Sequence, residues 1–149
     1  MTDRDSAPWH LWVVGMLATL WNGFGATDYT MTQLQSRSWY SSMGFDEPTT
    51  NAIFAYFETT PAWADAAWAC GTWGGVVGAL LLLARSRWAV PAFFVSIAGA
   101  IASTVFQAGA ELPPEMAEMG GSSVMYVVIA IAALLIWYAT NMRGRGVLK

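Results

Sequence analysis

Charge is what this chain has least of. Only 11% of its 149 residues are Asp, Glu, Lys or Arg, against about 25% in ordinary soluble domains. No run of basic residues exists and the net charge is -3, which argues against a nucleic-acid partner. A single cysteine, Cys70, excludes an intrachain disulfide. The single histidine, His10, has no second histidine to share a haem or metal with. Ser-His-Asp sets, metal-ligand clusters and phosphate-binding glycine loops are all missing, so neither an enzyme nor a cofactor is expected. What remains is apolar: 56% hydrophobic residues, nine of them tryptophan, and a positive mean hydropathy. That composition describes one polytopic membrane domain, with the lipid bilayer as its first partner.

The chain is organised around the stretch from Ala62 to Ala84. After Asp65 it carries no charge until Arg85. A helix over Ala66 to Ala84 would be about 28 Å long, close to the roughly 30 Å hydrocarbon core of a bilayer. Gly71, Gly74, Gly75 and Gly78 lie inside it. In water each would cost about 1 kcal/mol relative to alanine. In a membrane they let a neighbouring backbone approach closely. Gly71 with Gly75 and Gly74 with Gly78 form overlapping small-xxx-small pairs, which suit either packing within the chain or a homodimer seam.

Three further segments read as spans. Segment one covers about residues 9–28, with Ser6 as N-cap, Pro8 in the first turn and Trp9 and Trp12 at headgroup level. Its N-terminus makes a poor signal peptide, so this segment is expected to be retained. Segment two covers about 62–84, opened by Thr60 as cap and Pro61 at the first helical position. Segment three covers about 88–109, and segment four about 123–142. Only Arg85-Ser86-Arg87 separate segments two and three, which forces an antiparallel hairpin. Between segments one and two, Asp46, Glu47 and Pro48 start a short helix over about 46–58, with Ile53, Phe54 and Phe57 on one side. It lies at the membrane surface, folds as a lid over the bundle, or simply packs as a loop. The expected fold is an all-α antiparallel four-helix membrane bundle with this extra helix outside. Six of the seven basic residues fall before segment one, between two and three, or after four; only Arg37 lies on the other side. The positive-inside rule then places both termini in the cytoplasm.

The polar residues within the segments gather toward the outer end. Asn22, Asp28, Asp65, Ser103 and Gln107 should all lie within about 10 Å of the outer boundary. They imply a shallow polar cup rimmed by Trp21, Trp63 and Trp68. Carboxylates beside indole faces suit a sugar or an organic cation. The plainer alternatives are hydrogen bonds between helices for Asn22, Ser103 and Gln107, a dipole-complementing role for Asp65, and a pair between Asp28 and Arg37.

The pieces Trp21-Asn22, Asp28-Tyr29, Pro61-Ala62-Trp63, Trp73-Gly74-Gly75 and Arg87-Trp88-Ala89 resemble a family of small bacterial inner-membrane proteins. The resemblance covers most of the chain. It implies four helices, an inner-membrane location and transporter-like handling of a small polar solute, since such proteins often carry the label sugar transporter. The loop at Ala110 to Ser122 departs from the pattern in its Glu and Pro content. A second class of function fits the same features: a non-catalytic accessory subunit of a larger membrane complex. A homo-oligomer is the third kind of partner the sequence allows.

Overall fold

A computed structural model describes residues 7–118 and 121–149 and is all-helical there. Seven helices follow one another: α1 (Trp9–Gln33), α2 (Arg37–Ser42), α3 (Glu47–Glu58), α4 (Ala62–Leu83), α5 (Ala89–Gly109), α6 (Pro114–Glu118) and α7 (Gly121–Gly144). Ser6 and Arg4 lie outside the described residues. Pro8 itself holds the cap position of α1, in extended backbone, and Pro61 does the same for α4. Both prolines thus stand one residue earlier than expected, where a fixed φ and a missing N–H cost nothing.

Among the described residues, three helices are long and apolar enough to cross a membrane: α4, α5 and the Ser123–Gly144 part of α7. α1 is longer than any of them, yet its tryptophans, His10, Asn22 and Asp28 keep it below that level of hydropathy. Three apolar spans therefore stand where four are expected. The long helices also form a row rather than a closed ring. α1 packs on α4, α4 on α5 and α5 on α7, while α1 and α7 share no extended contact. The pairings are antiparallel: Gly15 meets Leu83 and Gly25 meets Thr72, whereas Gly78 meets Phe93 and Gly71 meets Ala100.

The glycines of α4 explain the tight α4–α5 seam. A Cβ on Gly71 or Gly74 would come within 3.2 Å of a backbone nitrogen of α5, at Ala100 or Ser96. Gly99 is tighter still, facing the backbone of Ala67 and Gly71. Gly75 instead faces the Asn22 side chain of α1, and Gly78 the ring of Phe93. All four α4 glycines are thus engaged inside the chain.

The end bearing Arg85, Arg87 and Lys149 is closed. Leu11, Leu82, Phe93, Ala139 and Met142 share one buried cluster there with Val147 and Leu148 of the tail. The His10 Nδ1 lies 2.5 Å from the Tyr138 hydroxyl and ties the start of α1 to the far part of α7. The tail then clasps the α4–α5 turn. The Arg87 N–H donates to the Lys149 carbonyl, the Lys149 N–H to the Arg85 carbonyl, and the Arg85 Nε to the Val147 carbonyl. Arg85 has a φ of 57°, in the left-handed region that ends many helices.

The opposite end is covered by short helices. Asp46 caps α3 by accepting the Thr49 N–H at 2.9 Å. Tyr40, Ile53 and Phe54 are buried together, joined by Trp39, Phe45, Phe57 and Met116. α2 and α3, called the lid below, pack on each other, α3 also packs on α6, and Phe57 of α3 stacks on Trp68 of α4. The stretch after Tyr29 prolongs α1 to Gln33 and then forms α2, whose Arg37 lies over the Phe54 ring of α3 and whose Tyr40 is buried.

Candidate functional site

Between the row's two flanks lies a cavity of about 280 Å³. α1 contributes Trp21, Asn22, Phe24, Gly25 and Asp28; α5 contributes Phe93, Ser96, Ala100, Ser103 and Gln107. α7 closes the other side with Val124, Met125, Val128, Ile131, Ala132 and Leu135, and Trp68, Gly71 and Thr72 of α4 form the floor. α1 and α7 meet at the closed end, through His10 with Tyr138 and Leu11 with Met142, and line the cavity from opposite sides beyond it. Phe24 and Val124, one on each flank, are both lining and exposed.

Of the five expected polar residues, Asn22, Asp28, Ser103 and Gln107 border this cavity. Asp65 does not. It accepts a hydrogen bond from Gln33 Nε2 at the α1–α4 end. Trp21 and Trp68 stand at the cavity, but Trp63 is exposed and packs edge-on against Phe106 instead. Asp28 does not meet Arg37. Its carboxylate accepts the Trp39 Nε1–H at 3.0 Å, and Arg37 lies over the Phe54 ring. The indole N–H reaches Asp28 because α2 turns back over α1, which the expected loop would not do.

Depth is the second correction. The space is no shallow cup. From Gln107 to Phe93 it follows α5 for fourteen residues, about 21 Å. Polar groups occupy one end and the middle; Phe93, Ile131 and Leu135 make the far end apolar. Most of the polar groups are satisfied within the protein. Asn22 Nδ2 donates to the Ala18 carbonyl at 2.8 Å, and Ser96 Oγ donates across the helix seam to the Gly71 carbonyl at 2.6 Å. Ser103 is different. It is buried and its Oγ has no partner among the described residues.

Phe57 of the lid reaches the cavity and stacks on Trp68, with ring centroids 4.6 Å apart and planes 21° from parallel. Tyr29 meets the same indole edge-on at 4.9 Å. The lid hydroxyls stay neutral: burial pushes Tyr40 up to about 12 and raises Tyr56 as well. Phe57 and the α7 lining escaped the site read from sequence. Phe57 sits in a segment that sequence assigns to the surface. The α7 residues carry no polar signal, since a wall of Val, Met, Ile and Leu looks the same whether it faces lipid or a cavity.

The lining sets a few polar atoms in an otherwise apolar slot. Comparison with family models, with characterised proteins and with solved structures returned no match.

Proposed function

We propose that this chain is a four-span protein of a bacterial inner membrane that binds a small amphiphile drawn from the outer half of the bilayer. The fourth span is α1. Trp9, Trp12, Val13, Met16, Leu17, Leu20 and Phe24 are all exposed and recur every three or four residues. That continuous apolar stripe suits lipid contact and offsets the polar residues on the inward side. Arg85, Arg87, Arg143, Arg145 and Lys149 gather at one end, which supports cytoplasmic termini by the positive-inside rule.

The observation that carries the ligand reading is the cavity's shape and polarity. It is polar toward the lid and apolar at depth, and Phe24 of α1 and Val124 of α7, which line it from opposite sides, are both exposed. A molecule with an acyl tail and a small polar head matches that order. A free sugar does not, because most of its hydroxyls would be buried against carbon without partners, at about 1–3 kcal/mol for each group left unsatisfied. The transporter-like part of the reading is that the slot connects lipid to the lid. The accessory-subunit reading stands second, favoured by the same open flank if a partner helix fills it.

Native mass spectrometry from mild detergent tests this directly. The protein should retain one amphiphile of a single-chain mass, and Ala132→Trp, which places an indole in the slot, should release it. A protein that carries nothing in either form, but holds a second polypeptide at fixed stoichiometry, would replace this reading with the accessory one.

A further inference from the structure

Beside the main cavity, and sharing Phe57, Trp68, Ser103 and Gln107 with it, lies a void of about 20 Å³. Tyr56 also borders it. Two residues that line one small space therefore carry buried hydroxyls, and neither hydroxyl has a hydrogen-bond partner among the described residues. Ser103 is 4% exposed and Tyr56 is 9% exposed. Orphaned buried hydroxyls are uncommon, since leaving a group unsatisfied forfeits its hydration without return. Ser103 could have used the preceding helical turn, as its neighbour Thr104 does in donating to the Ala100 carbonyl at 2.8 Å. It does not, and its oxygen stays available.

We propose that this void is the headgroup subsite of the slot, and that it takes a hydroxyl or ester oxygen of a neutral, single-chain glycerol-type amphiphile. The inference rests on the ligand reading above and names its polar end. Three features select the class. A void this small admits about one oxygen-sized group, little more than a water requires. The polar residues around it are Tyr56, Ser103, Thr60 and Gln107, a phenol, two alcohols and an amide, all neutral, so they pair with neutral oxygens in both donor and acceptor senses; the Thr60 hydroxyl already donates to the Tyr56 carbonyl. Asp28, at the same end of the main cavity, disfavours an anionic head such as a phosphate or a free carboxylate. The Phe57–Trp68 stack stands between void and slot, so the lid helix and the ligand head are placed to sense one another.

Quenching of the cavity tryptophans by chain-brominated probes separates the possibilities. The full chain in detergent micelles is titrated with a chain-brominated monoacylglycerol and with a brominated alkane of equal length. The monoacylglycerol should bind more tightly. In the double variant Tyr56→Phe with Ser103→Ala its affinity should fall about tenfold, toward that of the alkane, while alkane binding is unchanged. The ligand-free variant should be at least as heat-stable as the parent, because two unpaired buried hydroxyls are gone. Equal affinity of the two probes for the parent, or monoacylglycerol binding untouched by the double variant, overturns the subsite and leaves the slot standing. A double variant that is less stable without ligand points to a structural bridging water and overturns the subsite too. If neither probe quenches the parent protein, the slot reading falls and the subsite with it.

Discussion

The α4–α5 seam and the α1–α7 flank are the two extremes of one molecule. Along the seam, Gly71, Gly74 and Gly99 remove every side chain that could hold the backbones apart, and Ser96 bonds directly to the Gly71 carbonyl. Along the flank, Trp21 and Phe24 face Val124, Met125 and Val128 across open space. The contrast shows how a row of helices leaves a mostly apolar slot between its outer members. Small residues draw one pair of helices together, and large ones on the outer pair cannot follow.

The seam should break most easily. Gly99→Leu drives a side chain into the backbone of Ala67 and Gly71, so one helix must move. The cost should be at least the about 1–3 kcal/mol typical of overpacking, read as a lower thermal midpoint in detergent. An unchanged midpoint would mean that the seam is looser than described. Next comes the clasp at the closed end. Removing Val147 to Lys149 exposes partners of two buried side chains and frees the α4–α5 turn. A loss of about 3 kcal/mol is expected from the apolar contacts, visible as faster proteolysis near Arg85. If the truncated chain resists protease as well as the parent does, the clasp contributes little.

A subtler test compares a tight glycine of α5 with one of α4. A Cβ at Gly99 would strike backbone, whereas at Gly75 it would strike the Asn22 side-chain amide, which can swing away. Gly75→Ala should therefore be milder, and Asn22→Ala should largely rescue it, with a coupling of about 1 kcal/mol between the two. Additive effects would show that the two residues do not meet. The smallest effect concerns the lid. The Thr49 side chain, and after it the Thr49 N–H, hold the Asp46 carboxyl below the usual carboxylate range. The cap is thus in place above that range and is lost as pH falls through the lowered value. The Thr49 amide resonance should shift with a midpoint below that of an ordinary aspartate and stop titrating in Asp46→Asn. A midpoint at the ordinary value would remove the cap from the account.

Much of the fold is legible from residues alone because its signals are local. The apolar length of α4 and α5, the Asp46 cap and the short Arg-Ser-Arg turn each depend on a few neighbours in sequence. The same locality explains Asp28, Ser103 and Gln107, whose helical spacing brings them to one end, while Asn22 lies deeper, beside Gly75 and level with Ser96. What escapes is relational. That Asp28 pairs with Trp39, that Asp65 turns to Gln33, and that α1 stands away from α7 all depend on how separate segments meet. The tail clasp escapes for the same reason, since Val147 and Leu148 give no sign of burial until the α4–α5 turn lies beside them.

The account stands on the slot between α1 and α7 opening to lipid. A spin label at Val128, placed as Val128→Cys in a Cys70→Ser background, measures that opening in a bilayer. The half-buried Val128 side should collide with dissolved oxygen as a lipid-exposed position does, stay shielded from a water-soluble nickel chelate, and lose oxygen contact when monoacylglycerol is added. Shielding from both reagents before any ligand is added, or ready access for the nickel chelate, would contradict it.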